Sequence, residues 1–209
     1  MQRTRLFLIR HGQVEGFEAK RYNGQKNVAL TAHGRRQLEL VAERLQGVPL
    51  DAVWSSDLDR CRYGAEHLAA PRHLRVVYCE RLRELHAGDW EGLTWEELQR
   101  HYPTQWQARL ADIVNYRMPG GESFRDAAQR VLPELHRLLA AHPDGNVALV
   151  AHGGVNRIIL LDALGAPLDR VFCLEQDYAC LNVIDYFADG YRTVRLMNAD
   201  HLPERLCSR

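Results

Sequence analysis

Two apolar runs along the chain each end abruptly in a histidine followed by glycine. Leu6-Phe7-Leu8-Ile9 leads into Arg10-His11-Gly12, and Val147-Ala148-Leu149-Val150 leads into Ala151-His152-Gly153-Gly154. Four apolar residues in a row, without polar alternation, read as a strand buried on both faces, the kind found in parallel sheets covered by helices. Ala52-Val53-Trp54 and residues 75–79 read as two further short strands. Between the strands the apolar spacing lengthens to that of helices. Leu38, Val41 and Leu45 follow a cap at Thr31 and stop at Gly47 and Pro49. Ser55-Ser56-Asp57 supplies an exit turn and the cap of a helix reaching about Ala70, and Thr94 opens another that Pro103 breaks. Residues 123–141 carry Val131, Leu135, Leu138 and Leu139 on one side, and the helix through Ile158-Ile159-Leu160-Leu161 ends near Gly165 and Pro167. At the end, residues 180–187 and 191–197 flank Ala188-Asp189-Gly190, a hairpin signature. The alternation predicts an α/β fold: a three-layer α/β/α sandwich with a mostly parallel central sheet and an antiparallel edge hairpin.

Length and charge narrow the function. A chain of 209 residues is expected to form a single domain, residues 1–209. Lys plus Arg and Asp plus Glu both total 27, and no basic block points to nucleic acid or an anionic membrane as partner. Charged substrates must then be met by local clusters. No apolar stretch near the N-terminus is long enough for export or spanning, so a soluble, cytoplasmic protein is expected. Cys61, Cys79, Cys173, Cys180 and Cys207 form no C-x-x-C pair, and the 10 histidines form no metal-ligand spacing. Thiols are expected, with no metal and no cofactor.

In open α/β sheets, ligands bind beyond the carboxyl ends of the strands. That rule gathers Arg10 and His11, residues 55–60, and His152 at one edge of the sheet. Two histidines at matching strand ends, each followed by a glycine that permits close backbone approach, are hard to explain by packing. The polar loop over residues 13–30 is long for a compact domain and reads as functional.

These residues, with three further blocks, resemble the histidine phosphatase superfamily, also called phosphoglycerate mutase-like. The blocks, in chain order, are Arg10-His11-Gly12, Ser55-Ser56-Asp57-Leu58-Asp59-Arg60, Leu82-Arg83-Glu84 through Gly88-Asp89-Trp90-Glu91-Gly92, residues 119–123 (Pro-Gly-Gly-Glu-Ser), and His152-Gly153. The pattern is nearest the α-ribazole-5′-phosphate phosphatase and broad-specificity branch. The resemblance implies that His11 is the nucleophile attacking a phosphomonoester to form a phosphohistidine. It also implies that Arg10, Arg60 and His152 supply cations around the transferring group, and that Glu84 gives a proton to the leaving alcohol. Catalysis then rests on His11, Glu84 and His152, with Arg10, Arg60, Asn23 and Gly153 binding the substrate phosphate and a small helical lid inserted over about residues 91–123. No metal is required for charge neutralisation on this reading. Asp89, Glu91 and Glu97 are rival carboxylates, read as loop or helix-surface charges. Arg62 is read as a surface or rim residue, Arg21 as lining the pocket, and Trp90, Trp95 and Trp106 as core.

The match is incomplete after the first block. Many relatives have a hydroxyl and an amide where this chain has Val14 and Phe17, and each lost neutral hydrogen bond costs about 0.5–1.5 kcal/mol. The expected function is therefore a metal-independent phosphomonoester phosphatase acting through a phosphohistidine on a small phosphorylated metabolite. Two alternatives stand beside it: phosphoglycerate mutase-type transfer, and a non-catalytic phosphate-binding module. The expected partner is a small-molecule phosphomonoester, with no nucleic acid or membrane. A homodimer is possible through the edge hairpin near residues 180–187.

Overall fold

The computed structural model describes residues 3–199; Cys207 lies outside them. In chain order the elements are β1 (Arg3–Arg10), α1 (Ala32–Arg44), β2 (Ala52–Ser55), α2 (Asp59–Ala69), β3 (Val76–Tyr78), α3 (Trp95–His101), α4 (Pro103–Ala111), α5 (Phe124–Ala141), β4 (Asn146–Ala151), α6 (Gly153–Leu164), β5 (Leu181–Phe187) and β6 (Arg192–Ala199). They build one sheet in the order β3-β2-β4-β1-β5-β6. The first four run parallel, and β5 and β6 are antiparallel additions. This is the predicted sandwich.

The apolar runs work by alternation across the sheet. Leu6 and Leu8 of β1, with Val147 and Leu149 of β4, face a core shared with Val131, Leu135 and Leu138 of α5 and with Ile158 and Ile159 of α6. Phe7, Ile9, Ala148 and Val150 face the opposite layer, against Leu38 and Val41 of α1 and Ala65 and Leu68 of α2. A strand buried on both faces needs no polar side chain until it leaves the sheet, so β1 and β4 deliver their first polar groups together: Arg10 pairs with Ala151 at the shared carboxyl edge.

The structure also corrects several expectations. The Ser55-Ser56-Asp57 turn does not cap α2: the N-cap is Leu58, without a side-chain cap, and the Ser56 hydroxyl accepts from the Leu58 N–H at 3.4 Å and lies 2.8 Å from Nε2 of His152. Pro103 ends α3 as expected but also opens α4 from its first turn, where its missing N–H leaves no bond unmade. Residues 75–79 shorten to three strand residues. The hairpin strand over residues 181–187 is hydrogen-bonded on both sides, to β1 and to β6, so it offers no edge to a second copy; the edge is β6. Among the described residues, no helix is long and apolar enough to cross a membrane.

The segment over residues 91–123 folds over the site as α3, α4 and a turn. Thr94 and Glu97 form a reciprocal cap at the start of α3, which accounts for the Glu97 carboxylate as structural. Trp90, fully buried, anchors the segment, stacking on Tyr116 at 5.9 Å and lying 6.5 Å from Trp106.

Candidate active site

Arg10, His11, Asn23, Arg60, Glu84 and Gly153 all line one cavity of about 230 Å³ at the carboxyl edge of β1, β2 and β4. His152 does not line it. The cavity wall includes Arg21, as expected, and also Tyr22, Arg109, Arg157 and Tyr178.

His11 follows the last residue of β1, and its backbone is fixed on both sides: its N–H donates to the Ala151 carbonyl at 3.0 Å and its carbonyl accepts from Ala179 N–H at 3.0 Å. Gly12 must be glycine, because a Cβ there would collide with the backbone of Gly34 in the first turn of α1. The imidazole Nδ1 lies 2.8 Å from the Gly12 carbonyl, which can only accept, so Nδ1 carries the proton and Nε2 keeps its lone pair. Burial, with Arg60 and Arg10 beside it, holds His11 well below the usual 6.5 for histidine, so the ring is neutral at pH 7.

Arg60 is almost wholly buried on α2. Its Nη1 donates to the Lys26 carbonyl and its Nη2 to the Gly24 carbonyl, each at 2.7 Å, and its Nε donates to His152 Nδ1 at 3.3 Å. The loop over residues 13–30 thus holds this guanidinium. Glu91 braces that loop: its Oε1 accepts from Gln25 N–H at 2.8 Å, and its side chain is only 10% exposed. The surface charge expected there is a buried strut, because the turn at Gly24 brings a backbone donor onto it.

Arg10 is held from the other side. Its Nη1 donates to the Gln176 carbonyl at 2.5 Å, its guanidinium lies 4.0 Å from the centre of the Tyr178 ring, and its buried Nε has no partner among the described residues. Gln176 is itself fixed by a buried amide pair with Asn182, two bonds of 2.9 Å, and Asn182 reaches the Leu8 carbonyl at 3.1 Å. Arg157 of α6 donates to the Leu174 carbonyl at 2.7 Å. One loop, between α6 and β5, therefore orients both arginines.

Glu84 sits against the start of α6. One carboxylate oxygen accepts from Gly154 N–H at 3.1 Å and the other from Leu85 N–H at 3.0 Å. A Cβ on Gly154 would lie 2.5 Å from Glu84 Oε1, so glycine permits this approach. The Pro-Gly-Gly-Glu-Ser block contributes from behind: Glu122 pairs with Arg130 at 2.8 Å, and Arg130 donates to the carbonyls of Arg81 and Arg83 at 2.6 and 3.0 Å. That pair fixes the backbone leading into Glu84.

His152 departs from the part expected of it. It is fully buried, accepts from Arg60 at Nδ1, and so presents its Nε2 proton to the Ser56 hydroxyl. Burial, Arg60, His11 and Arg10 all push it well below 6.5, so it is neutral and supplies no cation. Val14 is fully buried in the layer with Ile9 and Leu30 and closes the base of the loop. Arg62 turns away, over the Tyr78 ring at 4.1 Å. Trp95, expected in the core, is 43% exposed and lines the cavity.

Sequence reasoning missed Arg157 and Arg109. Arg157 had a signal: it is the one cation in the apolar run of α6, where a charge has to face something polar. Tyr178 and Gln176 had none, since their placement depends on the left-handed turn at Ala179 (φ 56°). Among the described residues, no group of three or more His, Cys, Asp or Glu could hold a metal ion.

Residues 6–199 match the family model of the histidine phosphatase superfamily (branch 1). A bifunctional protein of Mycobacterium tuberculosis is 36% identical over 196 residues, 93% of this chain; the chain spans 54% of that relative's length. The adenosylcobalamin/alpha-ribazole phosphatase of Escherichia coli is 29% identical over 195 residues, 93% of this chain and 96% of the relative. Among solved structures, mycobacterial glucosyl-3-phosphoglycerate phosphatase superposes with a TM-score of 0.85 at 31% identity, covering 96% of this chain and 100% of that one. The alpha-ribazole phosphatase of Shigella flexneri gives 0.86 at 29%, covering 93% and 96%.

Proposed function

The chain belongs to the histidine phosphatase superfamily, and on that premise we propose that it is a phosphomonoester phosphatase working through a phosphohistidine on His11, on a small phosphorylated metabolite. The observation that carries this reading is the His11 ring: Nδ1 is committed to the Gly12 carbonyl, and the ring is neutral between two guanidiniums. A neutral imidazole with one lone pair on the cavity side is a nucleophile without further activation.

In the first step Nε2 of His11 attacks phosphorus, the N–P bond forms, and the ester P–O bond breaks. Glu84 gives a proton to the departing alkoxide. Arg10 and Arg60 hold the equatorial oxygens, where negative charge is spread in the transition state. In the second step water attacks the phosphohistidine, Glu84 recovers a proton from it, and inorganic phosphate leaves. His152 acts here as a positioning residue, holding Arg60 through Nδ1. Asn23 and Gly153 complete the wall around the phosphate. The guanidiniums take the part a divalent cation plays in other phosphoryl transfers, so turnover is expected to be metal-independent. A cytoplasmic location belongs to this reading.

Turnover of p-nitrophenyl phosphate in excess EDTA, followed by a rapid acid-free quench and mass spectrometry, tests it. A phosphate on His11, absent from the His11→Ala protein, is expected. Undiminished turnover in His11→Ala would end the mechanism, and transfer to an added alcohol in preference to water would mark a mutase.

A further inference from the structure

Arg109 of α4 is buried to 2% exposure and lines the same cavity from the lid side. Its Nε donates to the Tyr22 hydroxyl at 3.0 Å, and its guanidinium lies 5.5 and 5.6 Å from the ring centres of Tyr22 and Phe124. Its Nη1 is buried with no hydrogen-bond partner among the described residues. All of these neighbours are neutral. The other inner arginines are provided for differently: Arg130 has Glu122, and Arg10 and Arg60 have carbonyls fixed by the surrounding loops.

A buried guanidinium without a counter-charge is costly, and an anion entering the cavity would offset that cost. Arg109 is also attached differently from the phosphate-facing arginines. Arg10 and Arg60 are set by β1, α2 and the loops behind them, whereas Arg109 is carried by α4, within the segment over residues 91–123, and meets Tyr22 of the loop over residues 13–30 and Phe124 of α5 at the same cavity. Resting on the phosphatase reading, we infer that Arg109 is a specificity-determining residue that receives a second anionic group, a carboxylate or second phosphate, on the alcohol half of the substrate.

Matched pairs isolate that anion. Phosphoserine and phosphoethanolamine differ by one carboxylate, as do 3-phosphoglycerate and glycerol 3-phosphate apart from a hydroxymethyl; fructose 1,6-bisphosphate and fructose 6-phosphate form the second-phosphate arm. Selectivity is read as the ratio of kcat/KM within each pair, and again as the ratio of dissociation constants by calorimetry on the His11→Ala protein. Absence of all turnover ends the phosphatase reading, yet the second ratio still judges Arg109. The native protein is expected to favour the anionic member of at least one pair by about 10-fold or more, the scale of a hydrogen bond to a charged group. Arg109→Gln is expected to bring that ratio toward 1, and Arg109→Lys to keep part of it; thermal melts check that both variants fold. A native ratio of 1 or below in every pair overturns the inference. So does an equal loss on both members in Arg109→Gln, which would assign Arg109 to the transferring phosphate itself.

Discussion

The ends of β1 and β4 read almost alike along the chain, an apolar run, a histidine and a glycine, yet the fold sets the two rings to different work. Both rings are buried and both are held neutral by burial and by the arginines around them. His11 has one nitrogen tied, to the carbonyl of its own neighbour Gly12, and lines the cavity. His152 has both nitrogens in use, one toward Arg60 and one toward Ser56, and stands behind the wall. A local bond, decided within two residues, leaves a ring half free for chemistry. Bonds to two other parts of the chain make the matching ring a support.

The largest effect that would break this contrast comes from the histidines themselves. His11→Ala is expected to lower kcat/KM by roughly four orders of magnitude or more and to remove the trapped phosphoenzyme. His152→Ala should lose roughly 10²-fold, because Arg60, the charge-stabilising group it holds, loses its preorganisation, while phosphate is still trapped on His11. Comparable losses in both variants, with no phosphoenzyme in either, would erase the distinction.

Next in size is the dependence of stability on pH. Unfolding returns both rings to about 6.5, whereas the fold holds them well below it, so between those values the unfolded chain binds more protons. Stability is therefore complete above about pH 6.5 and falls as pH drops below it, by up to about 1.4 kcal/mol per pH unit for each ring. Thermal melts from pH 7.5 to 5.5 should show this slope, and His11→Asn or His152→Asn should each flatten part of it. The carboxylates held low by arginine, such as Asp57 and Asp185, act in a more acidic window, below their ordinary 3.8. A flat profile between pH 7.5 and 5.5 would mean that the rings are not held neutral.

The smallest effect sharpens the comparison most. Ser56→Ala removes one partner of His152 and touches nothing on His11. The loss of one neutral hydrogen bond predicts about a 2- to 10-fold fall in kcat/KM, with the phosphohistidine undiminished. An unchanged rate would show that Arg60 and the Cys61 thiol, 3.5 Å from Nε2, orient His152 without Ser56.

How much of this was legible in the sequence follows the reach of each interaction. The layers were, because alternation in β1 and β4 is a local property that sorts Leu6 and Leu8 from Phe7 and Ile9 before any partner is known. So was the gathering of Arg10, His11, Arg60 and Glu84, since short buried strands and the five blocks place their polar residues at one edge. Ser55-Ser56-Asp57 reads as carrying the cap of α2, whereas the Ser56 hydroxyl instead meets His152, 96 residues away. Glu91 lies in a loop, as expected, but its bracing part was not legible: one donor, the Ala87 N–H, is four residues away, while the other, the Gln25 N–H, is 66 residues away and meets it only after folding.

By itself, then, the amino-acid order determined the sandwich, the strand ends and the residue types able to carry phosphoryl transfer. Tertiary structure alone decided that His152 is engaged at both nitrogens, which carboxylate becomes a strut, and that Arg109 lines the cavity from α4 with no counter-charge among the described residues. Residue type and periodicity act over a turn or a strand, while the state of a buried polar group depends on whichever distant donor or acceptor folding places beside it.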